Sequence, residues 1–240
     1  MTERVHRDVV SFVRRSARMN SSQQKAWDNY SADLVVPITH GQTSTSVAAQ
    51  PPLPWGSIFG RDAPLVVEIG SGNGDSLVPM AAALPQVNLV AFEVFEPAVA
   101  STLAKIARLG LTNVRIVMAD GAQGLSTLFE EQSVSELWTF FADPWHKARH
   151  HKRRLVNPDL AATVAGQLEP GGHWRLATDW QDYAEWIREV LDHAPGLTNV
   201  HLDEGGWAPR WQARPVTKYE QRGLDAGRRI HDLTYRVGAR

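Results

Sequence analysis

LVVEIGSGNGDSLVPMAAAL, residues Leu65 to Leu84, is the stretch from which the fold is read. A short apolar, β-branched run ends at Ile69, glycines follow at Gly70, Gly72 and Gly74, and after Asp75 the apolar residues recur at helical period. The pattern is strand, ligand loop, helix, and the competing reading is a tight turn that binds nothing. A chain that must reverse within a few residues, and let a ligand come close to a helix N-terminus, needs backbone without Cβ. The spacing is not that of a dinucleotide loop, which requires G-x-G-x-x-G and here has Asp75 at its third position. Glu68, inside the strand end, would also repel a pyrophosphate. The loop suits a cationic or neutral nucleoside.

G-x-G-x-G after an acidic strand end resembles motif I of the S-adenosylmethionine methyltransferases, whose ligand carries a sulfonium and an ammonium and no phosphate. From Leu65 onward, strand and helix patterns alternate, as in a sheet covered on both faces. Strands are expected at Leu65–Ile69, Asn88–Glu93, Val114–Ala119, Glu136–Phe141, His173–Thr178, Val200–Leu202 and His231–Val237. Helices are expected near 75–84, 97–109, 122–130, 157–168 and 180–192, with Pro97 in a first turn and Pro170-Gly171-Gly172 stopping a helix before the next strand. The expected fold is α/β, a Rossmann-like class I methyltransferase with a seven-stranded, mostly parallel sheet and helices on both faces. Residues 1–60 read as a basic arm (Arg4, Arg7, Arg14, Arg15, Arg18) followed by a proline-rich, loop-like lead-in, and 61–240 as the methyltransferase domain.

In such a sheet ligands bind beyond the carboxyl ends of the strands. Those ends carry Glu68, Glu93, Asp120, Asp143 and Asp179. Each alone is commonly a cap or turn residue; together they outline a site for a ligand with hydroxyls and amino groups. Glu93 lies where a carboxylate takes ribose hydroxyls, and Asp120 where one accepts from an adenine amino group.

The second informative stretch is FFADPWHKARHHKRRL, residues 140–155. Asp143-Pro144-Trp145 makes a rigid turn, and Lys147, Arg149, Lys152, Arg153 and Arg154 follow within eight residues, interleaved with His146, His150 and His151. Such a run is either a solvated face or, leaving the catalytic edge as it does, a surface for a polyanion. Contact with five phosphates would give a single-strand-like salt slope around −3.5. Adjacent histidines without a matching carboxylate spacing do not make a metal site. The turn lacks the second proline of the Asn/Asp-Pro-Pro-Tyr/Phe loop of amino-group methylases, which points to a ring nitrogen as acceptor. In RPVTKYEQRG, residues 214–223, Thr217, Lys218 and Glu220 offer donors and acceptors on a covering loop. The same spacing equally fits a capping box, with Thr217 bonded back to the amide of Glu220.

The bulk numbers fit an ordinary globular chain: 240 residues, 43% hydrophobic and 21% charged, with a net charge of −1. Without cysteine there is no disulfide, thiolate metal site or cysteine nucleophile. No signal peptide and no apolar run near ~20 residues is present, so a cytosolic protein is expected. Nucleic-acid binding must then rest on local clustering of cations.

These pieces together resemble the bacterial tRNA (guanine-N7)-methyltransferases, which modify guanine 46 of the variable region. The likeness covers nearly the whole chain: Phe12-Val13-Arg14-Arg15, VVEIGSGNG, the run from Asp143 to Arg154, Thr178-Asp179, and Thr217 to Glu220. It implies that Glu68, Glu93, Asp120 and Asp143 contact S-adenosylmethionine at the loop of Gly70, Gly72 and Gly74, with Asp143 catalytic. It further implies that Lys147, Asp179, Thr217, Lys218, Tyr219 and Glu220 bind the guanine. Arg149, His150, His151, Lys152, Arg153 and Arg154 would lie on RNA. Ala142 departs from the family, which usually has proline there, and this loosens the turn. The implied partner is tRNA, with no membrane, no metal, and a monomer or homodimer. A nicotinamide oxidoreductase would need a third loop glycine and a proton relay that the chain lacks. A non-catalytic RNA-binding module would not need all the site carboxylates.

Overall fold

The structure, a computed structural model, describes residues 18–238, so the expected arm with Phe12 to Arg15 lies outside the described residues. Seven strands form one sheet: β1 (Leu65–Ile69), β2 (Asn88–Phe92), β3 (Val114–Val117), β4 (Val134–Phe140), β5 (Leu168–Thr178), β6 (Leu197–Asn199) and β7 (His231–Val237), in the order β3-β2-β1-β4-β5-β7-β6. The pairings from β3 through β5 are parallel, whereas β7 runs antiparallel to both β5 and β6. The mostly parallel, seven-stranded expectation is therefore met.

Every residue of β1 and β2 is buried, which is why these strands read as continuous apolar runs rather than as an alternation. Successive side chains point to opposite faces. Val67, Val90 and Phe92 enter a core closed by α5 (Gly121–Thr127), α6 (Pro158–Gln167) and α7 (Gln181–Asp192), together with Trp55 of the short α2 (Trp55–Phe59). Val66, Leu89 and Ala91 enter the other, closed by α3 (Leu77–Ala83) and α4 (Glu96–Leu109). Val99, Leu103 and Ile106 form the fully buried stripe of α4. Each such side chain contributes roughly 1.5–3 kcal/mol by leaving water. Pro97 sits in the first turn of α4, and Gly110 ends the helix in the left-handed conformation.

The lead-in is not loop throughout. Residues Ser21–Leu34 form a helix, α1, whose N-cap Asn20 and third residue Gln23 make a reciprocal capping box. Gln23 also donates to Pro97 O and Ser101 Oγ, both at 3.0 Å, tying α1 to α4. The sixth strand falls at Leu197–Asn199 rather than 200–202, because Leu202–Glu204 takes up a 3-10 turn. β5 already pairs at Leu168, and the pairing with β4 shifts register before His173. Pro170-Gly171-Gly172 thus bulges within the strand instead of preceding it.

Candidate functional site

Strand order reverses between β1 and β4, each paired to the other and leading away in opposite directions. That switch point is where an open α/β sheet leaves a crevice at its carboxyl edge. Gly70 and Gly72 turn there with φ of 81° and 54°, and a Cβ on either would meet open space. Their lack of a side chain serves the left-handed turn and the ligand side. Gly74 differs from these two in its surroundings. It too has positive φ, 70°, but a Cβ there would lie 2.7 Å from Thr102 of α4, so this glycine also serves loop-to-helix packing. Asp75 pairs with Lys105 of α4 and completes the same brace.

Two carboxylates back the loop. Glu93 accepts from Gly72 N (2.8 Å) and from Val94 N and Phe95 N (2.8 and 2.9 Å), so it shapes the loop as well as facing the crevice. Three of its roughly four lone-pair positions are thereby used. Glu68 is 3% exposed, and its Oε2 has no hydrogen-bond partner among the described residues. Burial, aided by the neighbouring Glu93 charge, pushes its carboxyl up to about 8. A buried acceptor without a donor is an unfavourable arrangement. It fits a ligand that brings a cation, as S-adenosylmethionine does with its ammonium. Asp120 caps α5, accepting from Ala122 N and Gln123 N at 3.1 and 3.0 Å.

Beyond β4 the chain turns through two non-glycine residues of positive φ, Phe141 at 54° and Trp145 at 47°, with exposed Asp143 between them. Such conformations persist only where the surroundings impose them. Phe141 N donates to Ala177 O at 2.7 Å, and Arg154 Nε donates to Pro144 O at 3.0 Å. These two hydrogen bonds hold the turn on either side of Ala142 and Asp143. Asp179 follows β5 and accepts from Arg228 Nε at 2.8 Å.

The basic run forms a 3-10 helix, Ala148–Arg153. Lys147, Arg149, Lys152 and Arg153 are exposed, with the Arg153 guanidinium 5.0 Å over the Trp145 ring. His150 stands edge-on to that ring, and partial burial with the surrounding cations, Arg149 first, lowers its pKa. Arg154 corrects the expectation of an RNA contact. It is 3% exposed, paired with Asp182 of α7, and lies over Tyr183 and Trp186. His151 leans on the same cluster through Arg154, 3.1 Å away. Tyr183 is itself driven up to about 12 by burial.

The expected guanine-binding segment opens the helix α8, Lys218–Asp225. Thr217 is its N-cap, accepting from Glu220 N at 3.2 Å, the capping alternative that spacing left open. Glu220 does not face solvent. It is wholly buried, bonded to Arg210 at 2.8 Å and to Arg214 at 2.6 Å, so direct substrate binding by its carboxylate is corrected to an internal ion pair. Lys218 and Tyr219 are exposed. Arg210 and Arg214 are the neighbours of Glu220 that sequence reasoning missed; Asp232, the second partner of Arg214, lies on β7, and no spacing announces it.

Among the described residues no cluster of potential metal ligands occurs, and no helix is long and apolar enough to cross a membrane. Residues 62–233 match a family model described as "Putative methyltransferase". The chain is 55% identical over 234 residues to a tRNA (guanine-N(7)-)-methyltransferase of Cutibacterium acnes, covering 98% of this chain and 85% of that protein. It is 48% identical to the protein of the same name from a Nocardioides species, covering 96% and 88%. Among solved structures it resembles the 16S rRNA methyltransferase KamB, with a TM-score of 0.51 at 18% identity over 79% of this chain and 95% of that one, a likeness of fold alone.

Proposed function

Because the chain belongs to the bacterial tRNA (guanine-N7)-methyltransferase family, we propose that it works at the β1/β4 crevice on the guanine at position 46 of the tRNA variable region. The protein transfers the methyl group of S-adenosylmethionine to guanine N7 in tRNA. When bound, S-adenosylmethionine supplies an electrophilic methyl on a sulfonium. Glu68 accepts from its ammonium, Glu93 takes ribose hydroxyls with its remaining lone-pair capacity, and Asp120 accepts from the adenine amino group. Gly70 and Gly72 keep the loop open to it. Asp143 follows β4, the strand paired to β1. Guanine N7 already presents a lone pair, so no proton must leave it and no general base is needed. The Asp143 carboxylate accepts from guanine N1–H or the amino group, aligning N7, and offsets the positive charge that appears on the ring. Asp179 and Lys147 flank the base, and Thr217 to Tyr219 cover it. Residues 61–240 carry this chemistry, the described residues before them lead into that domain, and the setting is the cytoplasm, where tRNA is.

The observation that supports this assignment is the buried Glu68 oxygen that has no hydrogen-bond partner among the described residues, just before the left-handed turn at Gly70 and Gly72. Labelled S-adenosylmethionine incubated with the full chain and bulk tRNA should give label in 7-methylguanosine. A transcript with adenine at tRNA position 46 should take up none. Label in a different nucleoside, or undiminished label in that transcript, would refute the reading.

The exposed cations give a second expected result. With Arg149, Lys152 and Arg153 each on one phosphate, log Kd for tRNA should vary with log salt at a slope of about 2.1 in magnitude. Arg149→Glu with Lys152→Glu should weaken tRNA binding and flatten that slope, leaving S-adenosylmethionine binding unchanged. A wild-type affinity indifferent to salt would make the run a solvated face.

A further inference from the structure

We propose that Arg214 is a positioning residue that sets where the Thr217–Glu220 segment stands relative to Asp143, a role that rests on the reaction proposed above. Its side chain is wholly buried between α8, β7 and the end of β4. Nη1 donates to Glu220 Oε2 at 2.6 Å, in the first turn of α8. Nη2 donates to both oxygens of Asp232 on β7, at 2.9 and 3.0 Å. The guanidinium also lies 5.4 Å from the Phe140 ring and 5.3 Å from that of Phe141, the residue whose positive φ opens the turn to Asp143.

The sheet register ties these contacts together. Phe140 pairs with Ala177 and Ala177 with Asp232, so the Arg214 cation lies across the ends of β4, β5 and β7. The chain around it is fixed separately, since Trp211 packs edge-on against Trp138 of β4 at 5.5 Å. Arg210 holds Glu220 from a second side, and that hydrogen bond raises the Arg210 pKa. A buried ionic brace is seldom a cheaper support than an apolar one. What the planar fork adds is direction: it fixes two carboxylates and two aromatic faces at set angles, which a lysine ammonium cannot do. The segment over the base and the turn carrying Asp143 are thereby referred to one rigid group.

Arg214→Lys keeps the charge and loses the fork. In the full chain it should slow single-turnover methylation at saturating tRNA and S-adenosylmethionine by about ten- to a hundredfold, the scale of a small misplacement, with S-adenosylmethionine affinity unchanged. A folded Arg214→Lys protein that methylates at the wild-type rate would overturn the proposal. So would S-adenosylmethionine affinity that falls in step with the rate, because that is general loosening. Should Arg214→Lys fail to fold, Asp232→Asn, which keeps shape and removes one charge, should show the same split in milder form; a wild-type rate there overturns the proposal equally. A wild-type chain that leaves tRNA unmethylated in the same assay would instead refute the underlying function.

Discussion

Replacing Asp143 with alanine should lower single-turnover methylation of bound tRNA by about ten- to a thousandfold, the range for losing one preorganised electrostatic contact. The fold should survive, because Asp143 is exposed and makes no hydrogen bond or ion pair among the described residues. A substitution of that kind typically changes stability by no more than about 0.5 kcal/mol. Asp143→Asn separates two roles. If the carboxylate offsets charge on the methylated ring, the amide should be nearly as poor as alanine; if it chiefly aligns the base, the amide retains part of the rate. The pH–rate profile at saturating cofactor should keep its shape in Asp143→Ala, since no proton leaves N7. Near-normal single-turnover methylation by Asp143→Ala would leave proximity alone as the catalyst.

The second large effect is a pH dependence at Glu68. With its carboxyl raised to about 8 in the ligand-free fold, the group is mainly protonated at neutral pH. A cationic ligand draws it into the ionised form, so binding releases a proton. S-adenosylmethionine affinity should therefore climb by up to about tenfold per pH unit on approaching pH 8 from below, then level off. The stability of the ligand-free protein moves the other way. Between the ordinary value of 4.5 and about 8 the folded state holds a proton that the unfolded chain has lost. That contribution is complete below 4.5 and fades as pH rises through the window, at up to about 1.4 kcal/mol per unit. Glu68→Gln should flatten both dependences and weaken cofactor binding at pH 8 while stabilising the empty fold there. Calorimetry in buffers of different ionisation enthalpy measures the released proton, and an affinity constant from pH 6 to 8 would mean that Glu68 enters already ionised.

Most of the frame was legible because it rests on local pattern. Doubly buried strands leave unbroken apolar runs such as Leu65–Ile69, and a one-sided helix leaves the Tyr183, Ile187, Val190, Leu191 stripe of α7. The acidic strand ends were legible for the same reason. The misread charges share one cause, partners outside the local pattern. Nothing within residues 147–154 distinguishes Arg154 from its neighbours; its inward turn is decided by Asp182 and the Trp186 ring. Glu220 reads as a capping-box acid until Arg210, Arg214 and Asp232 are seen around it. Helix α1 buries only Ala26 fully, so its apolar period is faint, though its Asn20 and Gln23 capping pair was in plain view.

The last strand in chain order, β7, does not sit at an edge. It is inserted between β5 and β6, and β6 has no other neighbour in the sheet. During synthesis, β5 therefore waits with an open edge while about fifty further residues emerge, and the Arg214 charge waits for Asp232. Pairing at such sequence separation is slow, and an open edge is a hazard in a partly made chain. Sheet closure and the burial of the Arg214 cation thus become a single late event. A nascent chain that stops short of residue 231 can already pair β1 with β4, yet it lacks both the strand that covers the β5 edge and the carboxylate that faces Arg214.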